Sequence, residues 1–146
     1  MIPEQYHIKD AVIGHITCLY CGSRCTLCTS DLVRPGHDVK PVWVCSQWPE
    51  CDAWVGCIKP QSVNGLKYQP LGHPANAELR RLRIECHELF DKLWKHKKGS
   101  QYKNRAKAYH KLTKVMNLPL ELCHIACFNK EQVLKAIQFL KEGKLE

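Results

Sequence analysis

Cysteine is the residue most able to do chemistry in this chain of 146 residues. Seven of its ten cysteines, Cys18, Cys21, Cys25, Cys28, Cys45, Cys51 and Cys57, fall within one 40-residue window. Cys18-Leu19-Tyr20-Cys21-Gly22 has the shape of a zinc knuckle: two thiolates separated by two residues in a tight turn can both reach one tetrahedral metal, and glycine relieves the turn. Cys45 and Cys51, at the end of one strand-like run and the start of the next, supply the second half. Four thiolates at about 2.3 Å close the coordination sphere and leave no open position for catalysis, so the expected cofactor is one structural Zn2+. Such a metal supplies on the order of 10 kcal/mol toward folding a lobe too small to have much core.

Cys25-Thr26-Leu27-Cys28 repeats the knuckle spacing four residues beyond the first pair, and it keeps two other arrangements open. In one, Cys25 and Cys28 replace Cys18 and Cys21. In the other they join Cys57, with His37, around a second zinc. A disulfide framework or an iron–sulfur cluster is a more remote reading of the same residues. Outside such a site, Cys57, Cys86, Cys123 and Cys127 read as small buried hydrophobes.

The N-terminal stretch has no basic segment followed by an apolar one, and no apolar run approaches the length that crosses a bilayer. The expectation is a cytoplasmic protein with reduced thiols, in which this cysteine spacing means metal.

Charge is confined to one segment. The whole chain carries a formal +8, yet residues 92–120 hold nine Lys/Arg and no Asp/Glu, so this segment supplies +9 and the remainder sums to −1. Lys103, Lys107, Lys111 and Lys114 step by four, four and three, which lines them along one face of a helix. Lys95, Lys97, Lys98 and Arg105 stand nearby, and together these eight form a patch able to track phosphates. A solvated helix surface is the bland alternative.

The elements that must position these groups differ along the chain. Up to about residue 60, DAVIGHITC, VKPVWVC and DAWVGCI read as short β pieces between turns. KPQSVNGLKYQPLG reads as a connector, giving a zinc-ribbon lobe over 1–60, a connector over 61–73 and a helical lobe over 74–146, expected to pack as one body. After Pro74 the steps Leu79, Leu82, Cys86, Leu89, Phe90 and Leu93 predict a helix over about 75–96. Ser100 is the expected N-cap of a second helix with the apolar stripe Tyr102, Ala106, Tyr109, Leu112 and Met116. Asn129 and Gln132 form an expected capping box opening a third helix over about 130–142. The predicted fold class is α+β: a small β-rich zinc ribbon with a bundle of about three helices.

Cys18-x2-Cys21-Gly22 followed by Val42-Trp43-Val44-Cys45-Ser46-x-Trp48-Pro49-x-Cys51 resembles the four-cysteine zinc fingers at the C-terminus of bacterial type IA topoisomerases. A longer resemblance, from about Cys18 to Ile137, is to a phage and bacterial family of zinc-finger-containing proteins without an assigned activity. It rests on the finger, on Pro70-Leu71-Gly72, Ala77-Glu78-Leu79-Arg80, His87, Phe90-Asp91 and Leu93-Trp94, and on Cys123-His124-Ile125 before Phe128. The resemblance implies that Cys18, Cys21, Cys45 and Cys51 are the zinc ligands. Cys25 and Cys28 depart from the family pattern, and the lysine-dense segment KHKKGSQYKNRAKAYHK is longer and more basic than the family implies.

Trp43, Trp54 and Trp94 read as core, whereas Trp48, in the knuckle turn, is the better platform for an unpaired base. His87 and His124 read as structural, since no nucleophile motif or glycine-rich phosphate loop accompanies them. The expected function is therefore a small phage-type, non-enzymatic protein that binds DNA or RNA through the basic face. A metal-dependent nuclease is the one enzymatic version to hold beside it. The alternative is an interaction module that modulates a host transcription, replication or defence protein through an acidic surface on that partner. No membrane and no small-molecule substrate is expected.

Overall fold

The computed structural model describes residues 2–9, 16–58 and 68–146. Residues 10–15 of the first expected strand and residues 61–67 of the expected connector lie outside them. The chain divides into two compact units, Met1–Ala77 and Glu78–Glu146.

The first unit is built on four strands, β1 (Ile16–Thr17), β2 (Arg24–Thr29), β3 (Pro41–Cys45) and β4 (Trp54–Gly56). They form one antiparallel sheet in the order β1-β2-β3-β4. Strand β2 occupies the stretch in which cysteine spacing suggested a second knuckle. The alternation of a pleated strand sends its side chains to both faces. Cys25 and Leu27 join Trp43, Cys45 and Val55 on one face, while Cys28 joins Val42 and Val44 on the other. Both faces are covered, which is why Pro41-Val-Trp-Val-Cys45 is apolar throughout.

Two devices tie the loops to this sheet. Ser30, buried at the end of β2, accepts the Lys40 amide on its hydroxyl (2.8 Å), and its own amide donates to the Lys40 carbonyl (2.8 Å), so the 30–40 loop is closed at its base. The later part of the connector and the residues up to Ala75 run along the outer side of β4. Trp54 and Ala75 exchange amide hydrogen bonds (3.1 and 3.0 Å), the Leu71 amide donates to Gly56 (2.9 Å), and the buried Trp43 indole N–H donates to the Tyr68 carbonyl (2.7 Å).

The second unit contains most of α1 (Ala77–Asp91), then α2 (Gln101–Met116) and α3 (Lys130–Lys141). The first helix ends five residues earlier than its periodicity predicts. Residues 92–100 turn instead, with the Leu93 and Trp94 amides on the Phe90 and Asp91 carbonyls (3.0 and 3.2 Å). Leu79, Arg83, Cys86 and Phe90 form its buried face. Arg83 was not expected there. Its Nε and Nη2 both donate to the Phe128 carbonyl (3.2 and 2.8 Å), which offsets the cost of burying a cation and fastens α1 to the segment leading into α3.

Helix α2 begins as predicted, with the Ser100 side chain accepting from the Lys103 amide. Its buried residues are Ala108, Tyr109, Leu112 and Met116, so the stripe is rotated from the expected one. At about 100° per residue, Ala106 falls roughly 110° from the middle of that face. Tyr102 sits near the face but at the helix start, beyond the core, and is 84% exposed. Phe90 packs on Tyr109 with ring centroids 4.5 Å apart, and Leu112, Ile125, Phe128 and Val133 of the same unit are fully buried. Trp94, expected in the core, is half-buried.

Helix α3 opens with the expected capping box: the Gln132 amide donates to Asn129 Oδ1 (2.8 Å) and the Asn129 amide to Gln132 Oε1 (3.0 Å). Replacing Asn129 by Ala should cost about 1 kcal/mol of stability. Urea unfolding of the zinc-loaded chain, followed by helical ellipticity, measures it; an unchanged midpoint would show that the cap is dispensable.

Candidate metal centre and basic face

The metal centre lies where two turns of the sheet meet. The first turn leaves β1 and returns as β2: the Gly22 amide donates to the Cys18 carbonyl (2.9 Å), the Cys18 amide donates to Ser23 (2.8 Å), and Gly22 takes the left-handed conformation at φ +77°. The second links β3 to β4, with the Trp48 amide on Cys45 (3.0 Å) and the Cys51 amide on Gln47 (3.0 Å). The Ser46 amide donates across to the Arg24 carbonyl (2.9 Å), which brings the two turns side by side.

The Sγ atoms of Cys18, Cys21, Cys45 and Cys51 all lie within 4.8 Å of one another. Cys18 to Cys51 is 3.6 Å and Cys21 to Cys45 is 3.4 Å. Four sulfurs at about 2.3 Å from one ion in tetrahedral geometry stand about 3.8 Å apart, so the four are spaced to hold zinc with small side-chain adjustments. Their electrostatics point the same way. Hydrogen bonds from the Ser23 side chain and amide, and then from Cys45, pull the Cys21 thiol down to about 6. Burial pushes Cys45 and Cys51 upward. A divalent cation supplies the charge that lets such buried thiols ionise.

The additional cysteines are placed elsewhere. Cys25 faces Cys45 across the β2–β3 pair. It is buried beside the four sulfurs but outside their cluster, and burial together with the neighbouring Cys18, Cys21 and Cys51 pushes its thiol up to about 12. Three residues on, Cys28 points to the opposite face of the sheet, packed with Ile2, Val42 and Val44, its thiol pushed up to about 11 by burial. Cys57 is half-buried against the metal-side cluster, and His37 is exposed on the 30–40 loop. Among the described residues no second group of Cys, His, Asp or Glu converges on a common point.

A structural, four-cysteine zinc finger is thus the class of domain this site defines. Over residues 14–143 the chain matches the model of the zinc-finger-containing domain family DUF3268, and it belongs to that family. No curated protein and no solved structure matches it.

The tryptophans divide unequally. Trp43 is buried on the metal side of the sheet. Trp48 and Trp54 are half-buried and pack against Ile2, Val42 and Val44 on the other side, so the ring of Trp48 is partly engaged in packing rather than standing free on the turn.

On the second unit, Lys103, Lys107, Lys111 and Lys114 are exposed on the side of α2 turned away from its buried face. Lys97 and Lys98 are exposed on the preceding turn. None of these six makes an ion pair among the described residues. Two of the expected contacts are partly engaged elsewhere: Lys95 pairs with Asp91 (3.4 Å), and the Arg105 guanidinium lies over the Tyr109 ring, 4.7 Å from its centroid. Asn104 carries no motif that marks it in the sequence, although it stands three and seven residues before Lys107 and Lys111. Its side-chain amide donates to the Lys97 and Lys98 carbonyls (3.3 Å each) and holds the lysine-bearing turn against α2.

The histidines are scattered. His87 is half-buried, and desolvation lowers its pKa; His124 is exposed, its ring 5.8 Å from Tyr109.

Substituting Cys51 by Ser should release zinc and dissolve the finger, whereas Cys28→Ser should keep one zinc per chain and lose only packing. Metal content by mass spectrometry, with thiol titration, separates the two; zinc retained in Cys51→Ser would remove that residue from the ligand set.

Proposed function

We propose that this protein binds nucleic acid through the basic face of its helical unit, without catalysing a reaction, and that its zinc serves only to fold the finger. The observation that carries this reading is the set of six exposed lysines on α2 and the turn before it, unpaired among the described residues, in a segment that holds no carboxylate. Uncompensated like charges repel one another and cost stability, so a surface that keeps them gains when a polyanion arrives and its counterions are released. The reduced thiols that a zinc site requires favour the cytoplasm as the place of action, and among the described residues no helix is long and apolar enough to cross a membrane.

A second reading is docking on the acidic surface of another polypeptide, as a phage-encoded modulator of a host transcription, replication or defence protein would do. A groove of about 570 Å³ on the finger unit supports it. Val42, Trp54, Ile58 and Leu71 form its apolar lining, and Arg34 and Lys40 add positive charge beside the one carboxylate of Asp38.

Fluorescence anisotropy with labelled single- and double-stranded oligonucleotides across a salt series tests the first reading. Binding should fall linearly in log–log form with salt, and Lys107→Glu or Lys111→Glu should each flatten the slope by about one while weakening all sequences alike. Negligible binding at moderate salt would overturn it and turn attention to protein partners.

A further inference from the structure

The lysines of the helical unit do not all stand on an open surface. Lys92 after α1, Lys97 on the turn, and Lys107 and Lys111 on α2 line one cleft of about 290 Å³. Asn104 completes its polar lining, and Leu93, Ala108 and Leu145 form its apolar part. Leu145 is buried, so this part of the wall is fixed rather than mobile side chain. Four lysines line it against the single side-chain carboxylate of Glu146, and none of the four has an ion-pair partner among the described residues. Lys98, Lys103 and Lys114, equally exposed, do not line the cleft.

We infer that this cleft takes the terminal phosphate of a nucleic-acid strand, an inference that rests on the nucleic-acid reading above and specifies what its most concave part is for. Charge, access and volume each favour a chain end over an internal phosphodiester. A phosphate monoester carries about −1.5 to −2 charge at neutral pH and three acceptor oxygens, so it satisfies several lysines of one cleft where a diester, with one charge, satisfies fewer. An internal phosphate is continued by chain on both sides, which keeps it on the rim of a concavity, whereas an end can enter. The volume lies at the lower limit of small-molecule sites, room for one phosphate with part of its nucleotide and not for a length of strand. The apolar residues suit the sugar or base behind that phosphate. Lys98, Lys103 and Lys114 remain for the phosphates that follow.

The test compares one oligonucleotide sequence bearing a 5′-phosphate, a 3′-phosphate or hydroxyls at both ends, with the zinc-loaded full chain at fixed salt. One phosphorylated end should bind about tenfold tighter than the hydroxyl form, the effect of one more charge-assisted hydrogen bond, and the arm that gains identifies the end. The double variant Lys107→Gln with Lys111→Gln should erase that preference. Lys103→Gln with Lys114→Gln should weaken all three ligands equally and leave it intact. Helical ellipticity confirms that each variant is folded. Tight binding of all three ligands with equal affinity would overturn the terminal-phosphate inference and leave the nucleic-acid reading standing; binding of none would overturn both.

Discussion

The finger unit depends on one constraint: four sulfurs from two turns must reach the same point. The turn between β1 and β2 and the turn between β3 and β4 are far apart in sequence, and closing loops of that length costs conformational entropy before any contact rewards it. Zinc joins the turns directly, and the intervening strands β2 and β3 then need only pair between them. The central strands β2 and β3 are six and five residues long and β4 is three, so the sheet holds few apolar side chains and gains from a metal that joins its turns. Metal binding and sheet formation are accordingly one event.

The helical unit solves the same problem of limited size differently. Its first helix is held by a buried arginine that spends two donors on one carbonyl, and its later helices by side-chain caps at Ser100 and Asn129. The positive charge is placed where it interferes least with that packing. Apolar residues occupy one side of α2, lysines the other, and the surplus lysines are shed into a non-helical turn that ends α1 early.

Much of this was legible from residue types and spacing. The knuckle at Cys18 and Cys21 and the closing pair Cys45 and Cys51 follow from what tetrahedral zinc requires, and both helix starts at 100 and 129 follow from hydrogen-bonding side chains standing before periodic apolar residues. The misreadings share a physical cause. A Cys-x-x-Cys spacing can be a knuckle or three steps along a strand, and only pairing with β3 decides that Cys25 and Cys28 face opposite ways. Arg83 was hidden because a charged residue on an apolar face looks like an interruption until its acceptor, Phe128, is brought 45 residues back along the chain. The rotation of the α2 stripe away from Ala106 and toward Ala108 could not be read from periodicity, since alanine fits either flank.

The pairing of residues 69–75 along the outer side of β4 has a consequence for how the protein behaves in concentrated solution. An open strand at the margin of a sheet offers its amides and carbonyls to any extended chain that passes, and small zinc-built sheets have little else to deter that. Here Trp54, Gly56 and Ile58 have spent those groups within the molecule, on Ala75, Leu71 and Gln69. Residues 69–75 therefore act as a built-in selvedge, finishing this margin of the sheet so that it does not ravel into its neighbours.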